Sequence, residues 1–480
     1  MSKKKKEVSI EVVGGNSDGV TGSCTKIEFY GRTILFELGM IQDQSTILGN
    51  YKENCAILNK IKPKKIEMVI VGHCHCDHIA LIPMLFARGN RDVKIIVPKD
   101  STSILREMWK DCAFINERDA ESLNYKSDKC YTPLYTQVEV EMALNNIVEI
   151  EIGNIVNIDE NVAIRYTAAG HILRSCQTEL YINGGAHTRK ILFTSDLGNK
   201  MIQDRKVFVE NFEPVSSANI VFGESTYGRF KGSMTKKDIK LDREKMKAVI
   251  EQYCIDSKHR VLIPSFSLDR VPFILWELYS LFGHNENFNV PVLVDSPLSN
   301  RLLDCYSSIL DGDAKEKFDQ MMSWKNIRRI ITPEDSKAAV TDKGAKVILA
   351  SSGMLSAGRS VKWIQSILPN ENDCCLFVGY AGTDTLAGKI KNGSTQKTIT
   401  INGKPCKNKC NLISLNSFSS HMQHEDLINY YKGINCEKIY LLHGDNQARI
   451  ELKEDLEKAL EDSCKSTRVS IINKGMKISL

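Results

Sequence analysis

The sequence predicts an α/β protein in which a strand-and-turn part gives way to a second part of alternating strands and helices. Three observations lead there. Short β runs and glycine turns alternate over the first 60 residues, and from about residue 229 apolar strands alternate with amphipathic helices. Between them, VIVGHCHCDHIALIP at 69–83 packs three histidines and an aspartate into six positions at the end of an apolar run. Alternating strands and helices signal a parallel sheet wrapped in helices.

In chain order, IEVVGG reads as a strand and TKIEFYGRTILFELGM as a hairpin, its two β runs divided at a glycine. IEMVIVG is a buried strand that leads into the histidines, and IALIPMLFARG has helical periodicity up to Gly89. The cluster is therefore expected on a strand-to-helix loop, where functional groups can converge. Residues 101–145 read as largely helical, and strands return at NVAIRYTAAGH, ELYING and KILFTSDLG. RFKGSMTKKDIKLDR is polar and lysine-rich, as a crossover linker would be. Helix EKMKAVIEQYC, strand HRVLIPSF, helix DRVPFILWELYSL and strand VPVLVDS follow, then KVILASS, CCLFVGY and a lysine-rich hairpin at KTITINGKPCKNKC. The last stretches, NLISLNSFSSHMQHEDLINYYKG and KIYLLHGD, again put histidines near strand ends.

Composition bounds the function classes. A chain of 480 residues holds roughly two to four domains. No apolar run reaches the roughly 18 residues that would span a bilayer, so no membrane partner is expected. MSKKKKEVSIEVVGG lacks the apolar segment of a signal peptide, and its four lysines read as a solvated tail or a weak phosphate contact. The net charge of +5 permits an anionic partner without requiring one. Fifteen cysteines, an odd number in a chain without an export signal, point to reduced thiols and a cytoplasmic location. Cys74 and Cys76 alternate with His73 and His75 and read as packing residues. Cys406 and Cys410 have no matching second pair and read as loop thiols rather than half of a zinc site.

His73 and His75 can clamp one metal while Asp77 and His78 point to a neighbouring position, although a metal-free histidine loop is the alternative. The test is whether other strand ends supply the missing donors. His171 follows AIRYTAAG, Asp196 ends ILFTSD, and His443 closes IYLLH. Each alone is an ordinary loop residue or turn former. Together they bring the donors to seven, enough for two zinc ions.

These residues resemble the motifs of the metallo-β-lactamase superfamily: HxHxDH at 73–78, GH at His171, TSD at Asp196 and a late histidine in LLHGD. The middle of the chain resembles the β-CASP branch of nucleic-acid nucleases. GESTYG looks like its motif A with Glu224, SFSSH its motif B with His421, and LLHGD its motif C with His443. LIPSFSLDR, VDSPLS, SSGMLSAGRS and GYAGTDTLAG match further stretches of the inserted domain. The resemblance covers nearly the whole chain in order. It implies an αββα sandwich formed by residues 1–228 and 414–480, with a β-CASP α/β domain inserted at 229–413.

Carried over residue by residue, the resemblance implies two zinc sites. His73, His75 and His171 would hold the first, Asp77, His78 and His443 the second, with Asp196 bridging. Paired cations activate a water and stabilise both oxygens of a phosphoryl displacement. Candidate catalytic residues are Asp77, His421 as the acid for the leaving oxygen, and Glu224, which would orient that imidazole. Four positions depart from the family pattern: Glu37 stands where an aspartate is usual, Arg174 for a glycine, Pro272 for a glutamine, and Asp384 near the expected phosphate.

RNA enzymes of this branch generally carry histidine at motif C, whereas Artemis-type DNA nucleases carry a small apolar residue. His443 therefore favours single-stranded RNA as the partner. The segment Lys389–Lys409 holds six lysines and no acid and reads equally as a backbone contact or a solvated hairpin. With no C-terminal extension like that of RNase J, the chain looks most like the short stand-alone bacterial-type members. These are related to the endonuclease subunit of the pre-mRNA 3′-end cleavage complex. The expectation is a zinc-dependent ribonuclease, with a homodimer allowed. A non-catalytic RNA-binding or scaffold subunit and a DNA-directed nuclease are the alternatives.

Overall fold

The hairpin TKIEFYGRTILF forms as its alternation demands. Strands Thr25–Phe29 and Arg32–Phe36 pair antiparallel around Tyr30 and Gly31, both left-handed at φ 51° and 85°. Positive φ at both central residues is the turn whose twist matches a two-residue hairpin. The computed structural model describes residues 8–15, 19–42, 44, 46–125, 128–183, 188–231, 234–379, 381–382, 385–393 and 397–480. The four N-terminal lysines and Asp384 lie outside these residues.

The chain divides into two compact units. The first comprises the segment up to Lys200, Val209–Ser233 and His421–Leu480; the second comprises Met201–Phe208 and Met234–Ser420. The stretch 201–208 reads from sequence as part of the first domain but packs with the second. There Arg205 Nε donates to Glu277 at 2.9 Å and Lys206 Nζ pairs with Asp269 at 3.0 Å, all buried or nearly so.

The first unit holds two seven-stranded sheets. One is ordered Lys477–Ser479, Ser9–Val12, Thr25–Phe29, Arg32–Phe36, Met68–Ile70, Lys94–Pro98 and Ile147–Ile150. The other is ordered Arg468–Ile471, Lys438–Leu442, Ile220–Glu224, Thr188–Phe193, Cys176–Asn183, Val162–Ala168 and Ile155–Asn157. Their facing side chains interleave in one core, with Ile27, Ile34, Phe36 and Ile70 of the first packed among Ile164, Leu180, Phe193 and Phe222 of the second. Helices His424–Gly433 and Asn446–Glu461 cover the outer face of the second sheet through Leu427, Tyr431, Leu452 and Leu456. In that sheet the strands preceding His171, Asp196 and His443, and the one ending at Glu224, all run the same way. Their C-terminal ends therefore gather at one edge.

The second unit is a six-stranded parallel sheet ordered Ile327–Arg329, Val292–Asp295, Lys346–Ala350, Arg260–Pro264, Cys374–Val378 and Asn411–Leu415. The strands at Arg260–Pro264, Val292–Asp295, Lys346–Ala350 and Cys374–Val378 are buried throughout, as the apolar runs LIP, VLV, VILA and CCLFV require. Pro272 sits third in helix Arg270–Phe282, where its missing N–H removes no intrahelical bond. Cys410 is buried in this unit's core with Cys406 packed beside it, and neither joins a metal-competent cluster among the described residues.

Two elements differ from the sequence reading. The helix expected from Glu244 begins earlier, at Lys236, inside the lysine-rich stretch expected as a linker, and is started by a reciprocal cap between Thr235 and Asp238. Of its buried residues, Met246, Val249 and Ile250 lie in the expected helix, and Ile239 alone among the lysines shows no period of its own. IALIPMLFARG is not one helix: the single turn Cys76–Ile79 ends at its first residue, and a second turn, Met84–Ala87, follows Pro83 and stops before Gly89, φ 83°. Among the described residues no helix is long and apolar enough to cross a membrane.

Candidate metal centre

His73 and His75 follow strand Met68–Ile70 in an extended loop, and His75 caps the short helix that carries Asp77 and His78. Gly39 lies directly beneath this helix. A Cβ there would meet the Asp77 carbonyl oxygen at 1.6 Å, so only glycine lets the hairpin support the loop. His171 and Asp196 are brought together by a second close approach, in which Gly198 N donates to Ala169 O at 2.8 Å and a Cβ on Gly198 would strike Gly170 O at 2.0 Å. Arg174 occupies a left-handed position, φ 59°, which accounts for the glycine expected there. Its guanidinium is fastened by Glu210 at 2.9 Å and Asp100 at 2.8 Å.

All seven predicted donors converge. His75 Nδ1 lies 3.2 Å from His73 Nε2 and 3.3 Å from His171 Nε2. His78 Nε2 lies 3.1 Å from His443 Nε2 and 3.5 Å from Asp77 Oδ2, which is 3.7 Å from His443 Nε2. The carboxylate of Asp196 divides between the two groups. Its Oδ2 is 3.6 Å from His73 Nε2 and 3.5 Å from His171 Nε2, whereas Oδ1 is 3.5 Å from His78 Nε2 and 3.2 Å from His443 Nδ1. Asp196 is almost wholly buried, and Oδ1 accepts no hydrogen bond.

This donor set fits metal ions better than it fits a proton network. Nitrogen ligands at about 2.05 Å from a tetrahedral zinc stand about 3.3 Å apart, the spacing within each histidine group. Two imidazole nitrogens facing each other can share only one proton, so several would otherwise oppose lone pairs. The buried oxygen of Asp196 is an unmet acceptor in the same place.

The ionisation pattern follows from burial and neighbours. Burial, then repulsion from His78 and His75, holds the His73 imidazole well below its ordinary value, hence neutral and able to bind metal. Burial works against a proton on His78, but Glu37, Asp196 and Asp77 outweigh it and hold that imidazole well above the ordinary value. Burial pushes Asp196 up despite His443 and His78.

Glu37 lies behind the histidines rather than among the converging donors. Its Oε2 takes bonds from His78 Nδ1 and Ser23 Oγ, each 2.6 Å, and Oε1 takes one from Ser195 Oγ at 2.7 Å. Ser195 Oγ is in turn 2.8 Å from His73 Nδ1. One carboxylate thus orients a histidine of each group, directly or through a serine, from the ring nitrogen opposite the converging one. The longer reach of glutamate, relative to the usual aspartate, meets that serine. Ser23 and Ser195 are missed in the sequence reading, although Ser195 is the middle residue of the TSD motif that ends at Asp196. Ser195→Ala is expected to weaken zinc binding by about 10–100-fold with the fold intact. Chelator competition would check it, and unchanged affinity would show that the serine does not orient His73.

Glu224, at the end of its strand, accepts from Leu197 N at 2.7 Å and Thr226 N at 3.1 Å. Burial opposes its charge, but His421, Thr226 and His443 hold it below the usual carboxylate range. His421 Nδ1 stands 3.5 Å from Glu224 Oε1, and its ring lies 4.5 Å from that of His171. The bridge between His421 and Gly198, with Met422 N bonded to Leu197 O at 2.8 Å, fixes its backbone. Tyr227 stacks against the same ring at 5.9 Å, and Thr226 Oγ1 lies 3.2 Å from His443 Nδ1. His424, expected at the surface, is instead buried: Nδ1 bonds Gly228 O at 2.7 Å and Nε2 faces Asp455 at 3.1 Å. An inward-facing first residue of helix His424–Gly433 requires this.

Comparison with known proteins gives concordant matches. Residues 273–390 match the Beta-Casp domain, and residues 407–466 match the Zn-dependent metallo-hydrolase RNA specificity domain. The chain is 25% identical over 401 residues to transcription termination factor FttA of Methanocaldococcus jannaschii, covering 81% of this chain and 60% of that one. It is 24% identical over 444 residues to ribonuclease TTHA0252 of Thermus thermophilus, covering 91% and 94%. Endoribonuclease YSH1 of Saccharomyces cerevisiae is 23% identical over 458 residues, covering 92% and 55%. The chain therefore spans little more than half of the first and third of these relatives but nearly all of the second. A crystal structure of a protein of unknown function from Enterococcus faecalis V583 shares the fold, with TM-score 0.52, 11% identity, and coverage of 99% and 100%.

Proposed function

The chain belongs to the β-CASP branch of the metallo-β-lactamase superfamily, and from that premise we propose that it is a zinc-dependent endoribonuclease. The carrying observation is the division of Asp196 between two donor groups with the His421–Glu224 pair beside them. In this reading the first unit is the αββα sandwich and the second the inserted β-CASP domain.

His73, His75 and His171 would hold one ion, Asp77, His78 and His443 a second, with Asp196 shared. When bound, two zinc ions supply a water of pKa about 7 and neutralise charge on the phosphate. The remaining work falls to the chain. His421 gives its proton to the departing 3′ oxygen of the scissile phosphodiester. Glu224, bonded by two backbone N–H groups, stands 3.5 Å from Nδ1 and keeps the imidazole turned. Burial of the donors, with His73, His78, His171 and Asp196 at most 2% exposed, keeps the centre fixed before substrate arrives.

Cleavage of a single-stranded RNA is expected to exceed that of the matched DNA strand and to leave a 5′-phosphate and a 3′-hydroxyl. End-labelled substrates with enzymatic mapping of both termini test this. Equal cleavage of DNA, or a 2′,3′-cyclic phosphate, would contradict it; the cyclic product would make the RNA's own 2′-hydroxyl the nucleophile.

A further inference from the structure

We propose that Cys76 and Cys112 form a reversible disulfide when the protein meets a hydroperoxide, and that the bond loosens the metal-binding loop. Cys76 Sγ lies 3.6 Å from Cys112 Sγ. Cys76 stands between His75 and Asp77 and opens the short helix Cys76–Ile79, while Cys112 lies midway along helix Thr102–Tyr125. Trp109, one turn before Cys112, donates its indole N–H to Ile79 O at 3.0 Å, so the two helices are pinned where the sulfurs meet. Cys76 is half-buried and Cys112 buried, which suits an attacking thiol and a resolving one.

The chemistry balances. Cys76 sulfur attacks the peroxide, the O–O bond breaks, and a sulfenic acid and an alcohol or water result. Cys112 sulfur then attacks Cys76 sulfur, the S–O bond breaks, and hydroxide leaves with the Cys112 proton as water. Two thiols have given two electrons to one peroxide.

A disulfide requires the sulfurs to close to about 2.05 Å, an approach of about 1.5 Å. The Cys76 backbone has little slack to supply it. Its carbonyl accepts from Met40 N at 3.1 Å and Ala80 N at 3.0 Å, and the His75 carbonyl accepts from His78 N at 3.0 Å. Movement of Cys76 therefore carries His75 and Asp77, one donor from each group. The cross-link stands on the thiol geometry alone, whereas its effect on metal rests on the zinc reading.

The test treats zinc-loaded protein with hydrogen peroxide, blocks remaining thiols with N-ethylmaleimide, and maps unreduced peptides by mass spectrometry. The expected result is a Cys76–Cys112 cross-linked peptide, with loss of both alkylated thiols, reversed by dithiothreitol. Peroxide should also release zinc from this protein, reversibly, and should release less from Cys112→Ser and Cys112→Ala, which cannot close the bond. Full alkylation of Cys76 after peroxide, while exposed Cys130 and Cys464 are oxidised, would overturn the site. Equal zinc release from all three proteins would overturn the coupling. A cross-link in a protein that binds no zinc would support the thiol pair and count against the zinc reading alone.

Discussion

Asp196→Ala is expected to purify without zinc and to cleave RNA on the order of 10⁴-fold or more below the parent, a larger loss than removing a general acid. Asp196 faces both histidine groups, Oδ2 toward His73 and His171 and Oδ1 toward His78 and His443. Without it, neither group keeps its negative charge on that side, and the facing imidazoles retain spacings of 3.1–3.3 Å with no cation to relieve them. The fold should survive, because the strand end is held independently by Leu197 N on Glu224 and Gly198 N on Ala169. Circular dichroism and elemental zinc on one preparation check both parts. Retention of two ions by a folded Asp196→Ala protein would remove the bridge from the account.

His421→Ala is expected to keep the fold and full zinc while losing about 10²–10⁴ in single-turnover rate. Its ring lies beside His171, but it belongs to none of the metal-competent clusters among the described residues. Glu224→Gln should resemble it, since the charge 3.5 Å from Nδ1 disappears while no zinc donor is removed. His424→Ala should behave differently. Its imidazole joins Gly228 O to Asp455 in a buried position, so removing it should cost about 1–3 kcal/mol of stability rather than the chemical step. Loss of zinc in His421→Ala, or a stable but inactive His424→Ala, would reverse the assignment.

The donors are legible in the sequence because each follows an apolar strand, and parallel strands deliver their ends to one edge. His73, His171, Asp196 and His443 needed only that rule and the right residue types. Their supports were not legible. Ser23 precedes one strand and Ser195 follows another, and they meet through Glu37, a contact that no local spacing encodes. His424 read as exposed because a polar run surrounds it, yet the helix turns it inward onto Gly228. The first half of the helix at Lys236–Ile250 was masked by its lysines, and segment 201–208 carries its tie to the second unit in buried ion pairs and in Phe208 against Trp276 and Phe318, partners remote in sequence. Cys76 read as a packing residue, and its sulfur packs on Cys112, a partner 36 positions away in sequence.

The central claim is that two metal ions held by these seven residues sustain RNA cleavage. Stepwise addition of zinc to the metal-free protein tests it most directly, with bound zinc and single-turnover cleavage of an end-labelled RNA read on the same samples. Cleavage is expected to follow the second equivalent and to leave a 5′-phosphate; full cleavage with one ion or none would rule out a two-ion centre.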